Sequence, residues 1–216
     1  LRDDALLIKA QAERLAQILR DMGQTGKDDL QTKSIPFSTL VQQAAEPHKN
    51  RGIKVHYFEK GKVLTEPSEQ VPFVSREPEI VHGLRNLVQN AVDFAASEVW
   101  VDIDWNDTQI RVIISDDGRG FPADLLGRIG DPFIWGRSGR RASDGARPNY
   151  EGMGLGLFIA KTLLERRGAE IVFANGSKRS STLGGAVVTA TWNRRDIEKS
   201  KSEVRAALGP NRPNPT

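Results

Sequence analysis

The chain has 216 residues, 38% of them hydrophobic and 27% charged, a balance typical of a globular domain with a sizeable core. It has no cysteine, which excludes disulfides, cysteine-ligated zinc and thiol catalysis. The formal net charge of +3 is too small to indicate a nucleic-acid partner, and no apolar run approaches the ~20 residues that cross a bilayer.

A heptad pattern opens the chain. Its apolar residues alternate in spacings of four and three, which favours a helix of a bundle or coiled coil over a helix folded onto its own domain. Gly23 and Gly26 end this helix, and residues 26–34 form a polar linker. Because the pattern is already running at the first residue and no Met precedes it, we expect a piece of a longer protein. The seam consists of Leu1, Ala5, Ile8, Ala12, Leu15, Leu19 and Met22.

Residues 35–195 mix helical and strand periodicities, with a long Gly-, Arg- and Ser-rich stretch over 117–151. Helices are predicted at 39–49, 77–96 and 155–166, and strands at 53–58, 71–74, 99–105, 110–114, 170–174 and 186–192. A tight turn at Asn106-Asp107 joins two of the strands into a hairpin. Strands covered by helices on one side make an α/β two-layer sandwich. The residues that follow, 196–216, end in a Pro- and Asn-rich stretch that predicts a disordered tail.

The helix at 77–96 carries an unusual polar face. Asparagine is a poor helix former, so two asparagines four residues apart favour carboxamide oxygens for a hard cation such as Mg²⁺ over a merely solvated face. On a helical wheel Ile80, Leu84, Leu87, Val88 and Ala91 share the apolar face, and His82, Asn86, Asn90 and Asp93 cluster opposite.

A first glycine motif, DDGRG, directly follows a predicted strand. The carboxylate of Asp116 can there accept a hydrogen bond from an exocyclic amine, and Gly118 and Gly120 let the backbone approach a flat ring. Taken alone this is a weak signal, because an ordinary turn at a strand end has the same composition.

A second glycine motif, GMGLGL over 152–157, opens a helix. Free N–H groups and the helix dipole make such a start a phosphate cradle. The dinucleotide-binding fingerprint needs another glycine spacing after a first strand, and the Walker A loop needs Gly-Lys-Ser/Thr, so neither fits.

Between the two motifs the sequence Asp131-Pro132-Phe133 is followed by several arginines, among them Arg137. A basic loop of this length favours a lid over a triphosphate, with an ordinary disordered insertion as the alternative.

In this order the motifs resemble those of the GHKL ATPase superfamily, and within it those of sensor histidine kinases. Residues 86–90 (NLVQN) resemble the N box, 116–120 the first glycine box, 131–133 the F box, 152–157 the second glycine box and Gly184-Gly185 the third. Residues 1–25 look like the second helix of the dimerisation and phosphotransfer hairpin. The phrases HGLRNLVQNAVDFA and AAEPH are similar to the RegB/PrrB-type redox-responsive kinases.

The resemblance implies a Bergerat-type fold, a mixed sheet with helices on one face, preceded by one long bundle helix. Residues 35–195 would be the ATP-binding catalytic domain. ATP and Mg²⁺ would be the cofactors, with Asn90 as the metal ligand and Asn86 near the phosphates. Asp116 would bind the adenine amino group, and Gly118 and Gly120 would make room for the base. The other cofactor-binding residues implied are Asp93, Phe133, Arg137, Gly152, Gly154, Leu155 and Gly156.

Some positions depart from the family pattern. Asp93 stands where a basic residue is common, and Ala186 follows the third glycine box where Thr is usual. Leu15 stands where RegB-type kinases carry a redox cysteine, so thiol redox sensing is unsupported.

The three histidines of the chain raise a further expectation. None of His48, His56 and His82 is followed by an acidic residue, as the family's phosphoacceptor is, so we expect the acceptor to be absent and this chain not to phosphorylate itself.

The family implies transfer of the ATP γ-phosphoryl group to a histidine and then to a response regulator receiver domain. It also implies a homodimer in the full-length protein, a cytoplasmic position for this portion, and anchoring in the inner membrane through upstream segments only. Two alternatives stay open. An ATP-hydrolysing relative would need a general-base Glu where Asn86 stands. A nucleotide-binding module without catalysis is compatible with Asp93 and Ala186.

Overall fold

A computed structural model of the chain describes residues 34–48, 52–123, 126–129, 155–176 and 184–199. The predicted bundle helix and nearly all of the linker lie outside these residues, as do Phe133, Arg137, Gly152 and Gly154. The helices are α1 (Phe37–Ala45), α2 (Pro78–Phe94), α3 (Leu155–Glu165) and α4 (Arg194–Ile197), with 3-10 turns at Glu46–His48 and Leu126–Arg128. The strands are β1 (Ser34–Pro36), β2 (Lys54–Glu59), β3 (Lys62–Val63), β4 (Phe73–Ser75), β5 (Glu98–Trp105), β6 (Gln109–Asp116), β7 (Ala169–Asn175) and β8 (Ala186–Asn193).

Six of the strands form one mixed sheet in the order β3-β2-β5-β6-β8-β7. β2 and β5 run parallel, and the other neighbouring pairs are antiparallel. A parallel pair needs a crossover connection, and α2 lies within the crossover between β2 and β5. Helices α2 and α3 pack against each other and against the sheet, and α1 packs against α2. The predicted α/β sandwich with a mixed sheet and packed helices is confirmed.

The core lies between the sheet and the helices. Along β5 and β6 every second residue is buried, as the alternating pattern predicts for a half-buried sheet. The apolar face of α2 is buried in the same cluster, so its predicted wheel is confirmed for Ile80, Leu84, Leu87, Val88 and Ala91.

The hairpin between β5 and β6 turns one residue later than predicted. Trp105 pairs with Ile110, and the Asn106 N–H donates to the Gln109 carbonyl at 3.0 Å, so the loop is Asp107-Thr108. The side chain of Asn106 accepts hydrogen bonds from the Thr108 and Gln109 N–H groups, each at 2.8 Å. Asn106 therefore closes the turn from the position before the loop, which explains the shift.

A second, two-stranded sheet revises both predicted domain boundaries. β1 pairs with β4 from Ser34 opposite Ser75, so Ser34 belongs to the folded domain and not to the linker. Glu198 bridges Val74, and the Lys199 N–H donates to the Phe73 carbonyl at 2.7 Å. Because Ile197 is also buried, residues 196–199 belong to the folded domain, and the tail predicted to begin at residue 196 starts too early.

No helix within the described ranges is long and apolar enough to span a membrane.

Candidate functional site

Asp116 ends β6 and is only 6% exposed. Its Oδ1 accepts hydrogen bonds from the Gly118 N–H at 2.8 Å and from the Ala186 N–H at 3.3 Å. Burial raises the pKa of this carboxyl to about 6, with a smaller contribution from Asp117, although the two backbone hydrogen bonds act to lower it. Both bonds use Oδ1, and within the described part of the chain Oδ2 accepts no hydrogen bond.

Two glycines pack against Asp116 and its turn where no side chain would fit, Gly118 within the turn and Gly185 just before β8. A Cβ at Gly185 would collide with the carbonyl of Asp116, and a Cβ at Gly118 would collide with the carbonyl of Phe94. Gly118 therefore lets the turn after β6 lie directly against the end of α2. Gly185, in the predicted third glycine box, packs β8 tightly against the same carboxylate.

Asp117 joins the same turn to the loop between α2 and β5. Its carboxylate accepts backbone hydrogen bonds from Ala96, Ser97 and Glu98 at 2.8 to 3.0 Å. Burial acts to raise the pKa of Asp117, but the hydrogen bonds from Ser97, Glu98 and Ala96 outweigh it, so the pKa lies below its usual value. Asp117 is thus a structural anchor for the site, which the sequence reasoning did not single out.

Asn175, at the end of β7, was also missed. Its side-chain amide accepts from the Phe121 N–H at 2.6 Å and donates to the Phe121 carbonyl at 2.7 Å. An asparagine at a strand end next to a glycine is a common turn composition. Nothing in the sequence distinguishes this one.

Helices α2 and α3 run antiparallel. Arg167, just after α3, forms ion pairs with Glu77 and, at 3.6 Å, Glu79 at the start of α2. Leu164 in the last turn of α3 packs so closely on Gly83 that a Cβ there would lie 2.5 Å from it. The beginning of α3 therefore points toward the C-terminal half of α2.

Asn90 lies on the same side of α2 as Gly83, on which α3 packs. Asn90 follows Gly83 by seven residues, or nearly two helical turns, so the two residues point in directions that differ by only about 20° around the helix axis. The first turn of α3, with Gly156, is consequently directed at the stretch of α2 that carries Asn90. Apart from its chain neighbours and the adjacent backbone of its own helix, no atom of the described residues lies within 4 Å of a Cβ placed at Gly156.

The polar face of α2 is less exposed than a merely solvated face would be. Asn86 is buried at 7% exposure, and its Nδ2 donates to the His82 carbonyl at 2.8 Å. Asn90 and Asp93 are half-buried. This arrangement fixes the amide of Asn86 and leaves its Oδ1 as an acceptor.

The described residues hold no group of three or more His, Cys, Asp or Glu side chains suited to a metal ion. A Mg²⁺ ion at Asn90 would therefore take most of its ligands from phosphate oxygens and water, which is how this ion is usually bound beside nucleotides. The carboxamide oxygens of Asn90 and Asn86 fit that requirement.

The structure thus places Asn86 and Asn90 on α2 and Asp116, Gly118 and Gly120 at the end of the adjoining strand β6, with the start of α3 directed at the part of α2 that carries Asn90. Leu155 is the first residue of α3. Phe133, Arg137, Gly152 and Gly154 lie outside the described residues, so their predicted roles stay predictions.

This chain belongs to the family of histidine kinase-, DNA gyrase B- and HSP90-like ATPases, whose family model matches residues 75–196. Within the family its similarity is to sensor histidine kinases. It is 50% identical over 201 residues to the sensor histidine kinase RegB of Cereibacter sphaeroides, a match that covers 89% of this chain and 42% of RegB. It is 30% identical over 177 residues to the sensor protein KdpD of Clostridium acetobutylicum, covering 81% of this chain and 18% of KdpD. The predicted resemblance to RegB-type kinases of the GHKL superfamily is confirmed.

Two solved structures share the fold. The mycobacterial sensor histidine kinase MprB is 15% identical with a TM-score of 0.55, covering 77% of this chain and 99% of MprB. Full-length ShkA in complex with AMPPNP is 21% identical with a TM-score of 0.56, covering 95% of this chain and 40% of ShkA. The chain spans well under half of the length of RegB, at 42%.

Proposed function

We propose that this chain binds Mg-ATP as the catalytic portion of a two-component sensor histidine kinase. The observation that carries the proposal is Asp116, a carboxylate at 6% exposure with one oxygen held by two N–H groups and the other without a hydrogen-bond donor among the residues that the structure describes. A buried acceptor between two obligatory glycines suits a flat heterocycle with an exocyclic amine.

Asp116 would accept a hydrogen bond from the adenine amino group. A purine with a carbonyl oxygen at that position would place two acceptors together, so the site would select adenine over guanine. Gly118 and Gly120 would face the ring. The solved complex of the similarly folded ShkA with an adenine nucleotide analogue supports this choice of ligand.

The triphosphate would extend from the base toward the start of α3. Helix dipole and free N–H groups favour anions there, and Gly152, Gly154, Leu155 and Gly156 occupy or precede this helix start. Asn90 would hold Mg²⁺, with Asn86 beside it, and the bound ion would neutralise phosphate charge. Asp93 would lie near the same phosphates, with Phe133 and Arg137 in the lid over them.

The reaction would be transfer of the γ-phosphoryl group to a histidine imidazole on a bundle helix, followed by transfer to the receiver domain of a response regulator. The contribution of this chain would be to position the nucleotide and stabilise its charge. We do not assign the acceptor role to His48, His56 or His82. Residues 1–25 would belong to the hairpin that forms the homodimer, and membrane anchoring would come from other segments of the full-length protein.

The hydrolytic alternative is the weaker one. Hydrolysis in this family needs a general base on the N-box helix, and the position expected for it is Asn86. The carboxamide of Asn86 is not basic enough to take a proton from water. A module that binds nucleotide without transferring phosphate remains the second candidate, because Asp93 stands where a basic residue is common.

Calorimetric titration with Mg-AMPPNP would test the binding step. We expect the wild-type chain to bind, Asp116→Asn and Asn90→Ala to bind at least tenfold more weakly, and the Asn90→Ala defect to shrink when Mg²⁺ is omitted. Asn193→Ala is the matched control, since among the described residues the side chain of Asn193 makes one hydrogen bond, an exposed one of 3.2 Å to Asp196. The proposal would be overturned if the folded wild-type chain does not bind nucleotide at millimolar concentration. It would also be overturned if the wild-type chain and the three variants all bind with the same affinity.

The transfer step would be tested by adding a separate phosphoacceptor hairpin and labelled ATP. Labelling of the hairpin histidine supports the kinase. Tight nucleotide binding without labelling would favour the module that does not catalyse.

A further inference from the structure

We infer that Asn175 is a positioning residue for the base-binding turn, because its side-chain amide holds the backbone of Phe121 and thereby the conformation of Gly120. The inference rests on the proposed function and adds a residue to it.

Asn175 binds Phe121 as a neighbouring strand would. Its Oδ1 accepts from the Phe121 N–H at 2.6 Å, and its Nδ2 donates to the Phe121 carbonyl at 2.7 Å. Both backbone groups of one residue are therefore satisfied by one side chain. A two-point contact of this kind fixes orientation as well as distance, which a single hydrogen bond does not.

The neighbouring residues leave little freedom. Gly120 has a φ of +73°, in the left-handed region, and a Cβ there would lie 2.7 Å from the Asn175 Oδ1 and 3.2 Å from the Gly184 carbonyl. Phe121 is 8% exposed, and its ring meets Phe173 edge-on at 5.9 Å between centroids. The backbone and the ring of Phe121 are thus held by the same strand, β7.

The contact also connects to the buried carboxylate. Asn175 pairs with Ala186 across β7 and β8, and the Ala186 N–H donates to Asp116. The turn over 116–121 is therefore anchored at its start by Asp116 and at its end by Asn175. Removal of the amide would leave Gly118 bonded to Asp116 and release the other end of the turn at Gly120, which is proposed to face the base.

This arrangement predicts a specific signature. Asn175 does not ionise, so Asn175→Ala should weaken nucleotide binding at every pH without moving the pH midpoint that Asp116 sets. A general loss of structure around the carboxylate would move that midpoint as well.

The test uses the full chain, with Mg-AMPPNP as the probe and calorimetry between pH 5 and pH 8. We expect Asn175→Ala to bind about tenfold more weakly with an unchanged midpoint, Asn175→Ser to lie between it and wild type because one hydroxyl can replace one of the two bonds, and Asn193→Ala to match wild type. Amide hydrogen exchange should be faster at Phe121 in Asn175→Ala and unchanged at Val188 in the core of β8.

A folded Asn175→Ala protein that binds as wild type would overturn the inference while leaving the proposed function intact. If Asn175→Ala does not fold, two other measurements decide. The inference is contradicted if Asn175→Ser binds nucleotide with wild-type affinity. It is also contradicted if the Phe121 amide of the wild-type protein exchanges without protection. Failure of the wild-type chain to bind nucleotide would overturn the proposed function, and the inference with it.

Discussion

Asp116 carries a charge that the fold buries without a cationic partner among the described residues. Because its pKa is raised from 3.8 to about 6, the folded protein holds the carboxyl proton more tightly than the unfolded chain does. Folding stability therefore falls as the pH rises from about 4 through 6, and the cost is fully present above that range. The proposed contact with the adenine amino group gives a reason for keeping this carboxyl in a buried position.

Asp116→Asn should remove this cost. The amide keeps an acceptor for the Gly118 and Ala186 N–H groups but cannot ionise. We expect the stability of the variant relative to wild type to rise by up to about 3 kcal/mol between pH 4 and pH 8. Urea unfolding of both proteins across that range measures it. A difference that does not change with pH would contradict the buried charge.

Nucleotide affinity should depend on the same proton. The ionised carboxylate is the better acceptor for an amino group, so affinity should fall as the pH drops through about 6, by no more than about tenfold per pH unit. Titrations of Asp116→Asn provide the control, since the nucleotide's own phosphates titrate equally in both proteins. The explanation fails if the two profiles are parallel.

Asp117 should respond to pH in the opposite sense. Its pKa is lowered, so its contribution to stability is present above the carboxyl's ordinary pKa and is lost as the pH falls through the lowered value. Asp117→Ala leaves the N–H groups of residues 96–98 without their acceptor and should cost about 1–2 kcal/mol near neutral pH. Urea denaturation of the wild-type and Asp117→Ala proteins at pH 7 and pH 3 measures this loss of stability. A loss that is larger at pH 3 than at pH 7 would contradict the lowered pKa.

At the scale of the elements, the packing of α2 on α3 sets the relation between the Asn90 face and the start of α3. Gly83 permits that close approach, and the ion pairs of Arg167 with Glu77 and Glu79 hold the far end. A glycine within a strongly amphipathic helix was a usable signal for such a contact, and it was missed.

Gly83→Ala tests the close approach. A Cβ would lie 2.5 Å from Leu164, which is fully buried, so we expect a net loss of about 1–3 kcal/mol even though alanine favours the helix. With Leu164→Ala as the background, the same change should become neutral or stabilising by up to about 1 kcal/mol. A double-mutant cycle by urea unfolding measures the coupling, and additive effects would contradict direct contact.

At the scale of the whole molecule, the sequence predicted the long periodic elements well. The alternation along β5 and β6 and the apolar stripe of α2 are local patterns, and both lie where they were expected. The pairing of β1 with β4 and of Glu198 with Val74 depends on residues distant in the chain and on backbone groups, so no local pattern reveals it.

The candidate site divides in the same way. Asp116, Gly118 and Asn90 stand in short motifs with a chemical reason for each residue type, and could be proposed from the sequence. Asn175 and Asp117 act on backbone groups of segments that folding brings beside them, at sequence separations of 54 and about 20 residues. Their roles become visible only once the turn, the α2–β5 loop and β7 are in place.

The central claim is that the Asn90 helix, the Asp116 turn and the start of α3 form one pocket for an adenine nucleotide. Amide hydrogen exchange of the intact chain, with and without saturating Mg-AMPPNP, tests it most directly. We predict that amide exchange slows in residues 86–93, in residues 116–121 and in the first turn of α3, with the same dependence on nucleotide concentration in all three segments. Exchange in the Asp107-Thr108 loop, at the opposite end of β6, should be unchanged. Slowing in only one of the three segments, or none at millimolar nucleotide, would contradict the claim.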